Sequence, residues 1–106
     1  MSDAISALRA RVTLQEPVRV PDELGGAAIF WAARGEVWAA IEPRGALERV
    51  TGDASVSAAA LRATIRRRDD VQHGWRIAWG SRLLRVLGRD DAGGTRIVLY
   101  CQEEIL

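Results

Sequence analysis

His73 is the sole histidine and Cys101 the sole cysteine, and three carboxylate pairs are adjacent in sequence: Asp69-Asp70, Asp90-Asp91 and Glu103-Glu104. Each could join a reactive set, and the spacing argues against each. A metal site needs several converging ligands. His73 has only Asp69 and Asp70 close by in sequence and reads as a polar loop residue. Cys101 alternates with Leu99 and Ile97, the pattern of a small apolar side chain on a strand face rather than a nucleophile. Neighbouring residues in a strand point to opposite faces, so adjacent carboxylates are poorly placed for a shared acid–base site. Gly25-Gly26 and Gly93-Gly94 match neither a phosphate-binding loop nor a dinucleotide fingerprint. The expectation is no catalytic residue, no metal and no cofactor, and the chain does not read as an enzyme.

What remains is binding chemistry. All 15 basic residues are Arg, set against 14 acidic residues for a net charge of +1. That balance lacks the basic footprint of an ordinary nucleic-acid binder. The guanidinium head suits interfaces and phosphates, although a GC-rich genome produces the same bias. The densest positive cluster is Arg66-Arg67-Arg68 with Arg62. In an extended strand Arg62, Arg66 and Arg68 share one face, which fits a solvated surface, a subunit salt bridge or contact with a nucleic-acid backbone. Four Trp exceed what one small core usually needs, and Trp is favoured at subunit interfaces. Trp31, Trp38, Trp75, Arg66 and Arg68 are therefore the interface candidates.

These residues sit on elements whose period is mostly two. The chain has 106 residues, enough for one domain, and Leu, Val, Ile and Phe make up 27 of them, above the level that signals disorder. No apolar run reaches the length of a membrane span. The opening Met1-Ser2-Asp3-Ala4 lacks the features of a signal peptide. A lone cysteine forms no internal disulfide, consistent with a reducing interior or a disulfide-free particle.

Residues 8–15 alternate as a half-buried strand, with Leu8, Ala10, Val12 and Leu14 on one face. Ser2 or Asp3 is placed to cap a helical turn before it. Residues 17–27, with Pro17, Pro21 and Gly25-Gly26, read as a loop. Residues 29–41 form a second strand region, with a bulge or turn at Arg34-Gly35, and Pro43 ends it. Residues 44–60 are rich in small and polar types and read as a long loop, with a helical turn possible at residues 57–61. Strands follow over residues 61–67, 75–79, 82–87 and 97–101, joined by a Gly80-Ser81 hairpin and a loop at residues 90–94. The expectation is all-β: a small antiparallel barrel or sandwich of about six strands, with a long loop between strands two and three. Val12, Leu14, Ile41, Ile65, Ile77, Val86 and Leu99 are its expected core.

A resemblance runs through this order. Leu8-Arg9-Ala10-Arg11-Val12-Thr13-Leu14-Gln15 resembles the opening LRxRITIQ of phage head-tail joining proteins. Asp22, Gly25-Gly26 and Trp31 follow as they do there. Val37-Trp38-Ala39-Ala40-Ile41-Glu42-Pro43 and then Gly45 resemble the family's VWAAIEP signature. Residues 61–68 are similar to its central strand, and residues 97–103 to its closing LxLxCxE. The chain departs from the pattern at Trp75 and Trp79, where smaller residues are usual, at Leu61 in place of His, and at Ser81 in the hairpin.

The resemblance implies a head-closure, or stopper, protein of long-tailed phages and gene-transfer-agent-like particles, with no catalytic residue. It implies a ring, commonly hexameric, at the virion neck and assembled in the bacterial cytoplasm. Its implied partners are further copies of itself, a portal or adaptor above, a tail terminator or tail protein below, and packaged double-stranded DNA. The family's channel loop corresponds to residues 44–60, which makes Arg44 and Arg49 the DNA-facing candidates. The alternatives are an adaptor or tail-terminator ring of the same neck, or a small-barrel nucleic-acid-binding module.

Overall fold

The computed structural model describes residues 9–44, 59–91 and 94–104. Those residues form six strands: β1 (Ala10–Pro21), β2 (Ala27–Pro43), β3 (Ala60–Arg66), β4 (Arg76–Trp79), β5 (Arg82–Asp90) and β6 (Arg96–Glu103). Every pairing is antiparallel, and the order β1-β2-β3-β6-β5-β4 closes when β4 pairs back onto β1. The expected all-β barrel of six strands is thus the architecture found. Closure satisfies ladder groups that an open sheet would leave at its edges.

Period-two alternation makes the core. Val12 and Leu14 from β1, Leu61, Ala63 and Ile65 from β3, Ile77 from β4, Leu84 and Val86 from β5, and Ile97, Leu99 and Cys101 from β6 all point inward and are buried. Each fully buried Val, Leu or Ile contributes about 1.5–3 kcal/mol of transfer free energy. Of the expected core, only Ile41 is half-buried, because it lies two residues from the end of β2 and packs against the cluster from the barrel's mouth.

Several local expectations are corrected. Residues 17–21 are not loop: β1 continues through both prolines to Pro21, pairing Pro17 with Trp31 and Pro21 with Ala27. The prolines are four residues apart, so both ring nitrogens lie on the same edge of β1. The Asp22 N–H donates to the Gly26 carbonyl, which puts residues 16, 18, 20 and 22 in bonding phase with β2 and Pro17 and Pro21 out of it. β4 pairs β1 only from Thr13 to Gln15, so neither proline removes a ladder donor. The result is a two-stranded arm that extends past the barrel wall.

Arg34-Gly35 is the expected bulge: β2 carries an extra residue where the register shifts between Thr13 and Gln15, with Gly35 at φ 132. A second bulge on β5, between Val86 and Gly88, lets that strand run on to Asp90 and leaves Leu87 exposed. Ala60 and Leu61 open β3 rather than a helical turn, and β3 ends at Arg66, so Arg68 is not on its face. The Gly80-Ser81 hairpin is present, with Trp79 paired to Arg82 and Gly80 at φ 62. The helical turns expected at residues 2–3 and 57–58 lie outside the described residues.

Candidate functional site

The register places the two main connections at opposite ends of the barrel. The long connection leaves where Pro43 pairs with Leu61, and the arm tip lies past Pro21 and Ala27. At the first end, the Arg44 N–H donates to the Ala60 carbonyl at 2.9 Å and the guanidinium lies 5.2 Å from the Tyr100 ring centroid. Arg44 is therefore anchored at the mouth where the long connection begins. Residues 45–58, Arg49 among them, lie outside the described residues.

The four tryptophans divide by position. Trp75 belongs to the core at 4% exposure and offers no surface to a partner, which corrects its place among the interface candidates. The Gly74 backbone at φ 98 turns the chain inward, and the Trp75 carbonyl accepts from the Val86 N–H at 2.9 Å. Trp79 is half-buried against the same core, with Arg82 over its ring at 4.6 Å. Trp31 is half-buried at the base of the arm, under Arg76 at 4.0 Å and Arg85 at 5.7 Å. Those arginines reach Glu104, at 3.8 and 2.7 Å respectively, so the cluster ties the arm to β4, β5 and the end of β6. Trp38 alone among the four is more than half exposed, with Arg11 stacked at 5.1 Å.

The arginine cluster also divides. Arg62 pairs with Glu42 at 3.1 Å. Arg68 grips Asp70 through two hydrogen bonds of 3.0 and 2.8 Å and donates a third, of 2.9 Å, to the Arg34 carbonyl. That fork clasps the bulge, and its hydrogen bonds hold the Asp70 carboxyl below the usual range. Arg68 is thus a structural clasp in this chain. Arg66 lies opposite Arg96 in the β3–β6 ladder, with no carboxylate within 4.0 Å among the described residues. Together with Arg9, Val37 and Trp38 it lines an open groove of about 680 Å³.

Sequence reasoning missed Arg9 and Arg96 as partners of Arg66, since their meeting depends on the β6–β3–β2–β1 neighbourhood. It also missed the arm, whose tip exposes Leu24 at 92% and whose β2 side exposes Phe30 at 59%. The Pro17–Pro21 spacing and the turn made by Asp22, which accepts from the Leu24 and Gly26 N–H groups, were the available signals. Among the described residues there is no cluster of metal-ligating side chains.

The described residues thus make a closed β-barrel with ion-paired walls, an anchored root for the long connection and an extended arm. The chain belongs to the phage head completion protein family, whose sequence profile matches residues 4–104. It is similar to a chain of the virion of a native gene transfer agent particle, with a TM-score of 0.75 and 26% identity over 92% of this chain and 96% of that one. It is likewise similar to protein SF1141 of Shigella flexneri 2a, with a TM-score of 0.72 and 27% identity over 95% of this chain and 96% of that one. Among curated proteins nothing matches the chain.

Proposed function

We infer that this head completion protein is a non-enzymatic stopper: a ring, commonly of six copies, that joins the DNA-filled head to the tail at the virion neck. The observation that carries this reading is the family match over residues 4–104, and the likeness to a gene transfer agent virion chain supports it. In this reading the ring forms in the bacterial cytoplasm, below the portal or adaptor and above the tail terminator. The connection at residues 44–60 reaches the axis and gates the DNA channel, with Arg44 and Arg49 toward the phosphates.

The placement of Arg44 supports the gate reading, since its backbone and ring contacts fix the loop's root on the rigid barrel. The near-neutral charge supports it too: a ring that must release DNA is better served by modest attraction than by many phosphate contacts with a steep salt dependence. A stand-alone nucleic-acid module has less support, because Arg62 and Arg68 spend their charge on the chain's own carboxylates.

The test is to replace residues 45–58 with a short Gly-Ser turn. The barrel stays folded, because both flanking strands are held by other ladders. Heads assembled with this variant and lacking tails lose packaged DNA. Retention of full-length DNA in such heads excludes the gate.

A further inference from the structure

Trp38 lies on the outer face of the barrel, 51% exposed, with Arg9 and Arg11 on the β1 side and Arg66 on the β3 side. Val37 forms an apolar part of the groove beside it. Arg66 and Arg96 are direct cross-strand partners, a like-charge placement that costs stability in a sheet. Most arginines nearby are neutralised: Arg11 by Glu36, Arg62 by Glu42 and Arg68 by Asp70. Among the described residues no carboxylate lies within 4.0 Å of Arg9, Arg66 or Arg96. Positive charge is thus concentrated, at a cost, beside an exposed indole: Arg9 and Arg66 line its groove, and Arg96 lies next to Arg66.

We propose that this groove docks a segment of another protein that carries one apolar side chain flanked by carboxylates. The apolar group covers Trp38 and Val37, and the carboxylates neutralise Arg66, Arg96 and Arg9. Trp and Arg are the residues that most often dominate binding energy, and a desolvated rim around the aromatic strengthens the ion pairs. Duplex DNA fits less well, since its phosphate backbone has no apolar group to cover the indole and its bases are stacked inside. A second copy of this chain fits less well: its best match is the arm tip, where exposed Leu24 follows Asp22 and Glu23, but the Asp22 carboxyl already accepts from the Leu24 and Gly26 N–H groups, which leaves Glu23 alone to face three arginines. The inference rests on the assembly reading above and adds the chemistry of one contact.

The experiment places a photocrosslinker in the groove, Trp38→p-benzoylphenylalanine, in cells that express the chain with its neighbouring genes. Both Trp38 and Arg66 are on the surface, so each variant folds, and Arg66→Glu, which relieves the like-charge pair with Arg96, melts no lower than the parent. Irradiation gives an adduct with a different polypeptide, mapped by mass spectrometry to within a few residues of at least two Asp or Glu. Adding Arg66→Glu lowers the adduct yield at least about tenfold, which corresponds to about 1.4 kcal/mol, and Arg66→Lys lowers it less. An adduct with DNA, an adduct with a second copy, or a yield no higher than from the same crosslinker at exposed Leu87 overturns the proposal. Mass-spectrometric detection of the chain in purified particles reads the assembly function separately. A specific acidic adduct with the chain missing from particles sinks only that function. The chain in particles without the adduct sinks only the docking proposal.

Discussion

Cys101 faces the barrel interior with no exposed surface, and burial pushes its thiol up to about 12. A thiol so placed is neither a thiolate nor accessible at neutral pH. In native protein Cys101 is expected to resist a disulfide reagent at pH 8 and to react fully once the chain is unfolded; rapid native reaction contradicts its place in the core. Val12, 2% exposed, is a sharper probe of the same interior. Val12→Asp buries an unpaired charge at a cost of several kcal/mol against a total stability of about 5–15, so denaturant unfolding shows a largely unfolded population. At the surface, Arg68, Arg89 and Arg82 hydrogen-bond Asp70, Asp91 and Glu103 and lower their carboxyl pKa values. The folded state therefore binds fewer protons than the unfolded chain in the acid range. The stability these pairs add is full above the unfolded values, near 4, and is lost as the pH falls through the lowered folded ones. The melting temperature is expected to hold between pH 7 and 5 and to drop below pH 4, with only a modest share from each exposed pair.

The Gly35 bulge shows how one element depends on another. Its φ of 132 disfavours any side chain, and an added Cβ would stand 3.0 Å from the Arg68 guanidinium. Gly35→Ala is expected to destabilise by about 1–3 kcal/mol in chemical unfolding. Arg68→Lys is expected to recover little of the loss from Arg68→Ala, because an ammonium cannot reproduce the fork to Asp70 and the Arg34 carbonyl. The arm behaves oppositely: Leu24→Ser or Phe30→Ser removes already exposed surface, so the melting point shifts by no more than a degree or two. Strands that line the core on one face, such as residues 10–15 and 97–101, were legible from alternation alone, and so was the bulge; Leu8, expected on the same inner face, lies outside the described residues. The arm was not, because both its faces are wet and its prolines are the residues that ordinarily end strands. Whether Pro17 breaks a ladder depends on which edge β4 occupies, and that is a long-range fact. The Arg9–Trp38–Arg66–Arg96 neighbourhood was illegible for the same reason: it joins four strands whose order around the barrel is not their order in sequence.

At the scale of the whole molecule, closure frees the outer wall and the two ends for assembly. One end holds Pro43, Arg44 and the root of the long connection, and the other carries the arm. Between them the outer wall carries the Trp38 groove. A ring built from such a unit would use the wall away from the Trp38 groove for lateral contacts and its ends for the components above and below. Lateral contacts of an obligate ring should each bury more than about 1,000 Å². In the proposed role this barrel is a repeated component of the head–tail junction. A three-dimensional reconstruction of particles made with this chain tests it most directly. Six copies of the barrel are expected around the axis at the junction, with the ends bearing residues 44–60 directed inward. A junction that lacks the barrel, or that holds a single copy, contradicts that role.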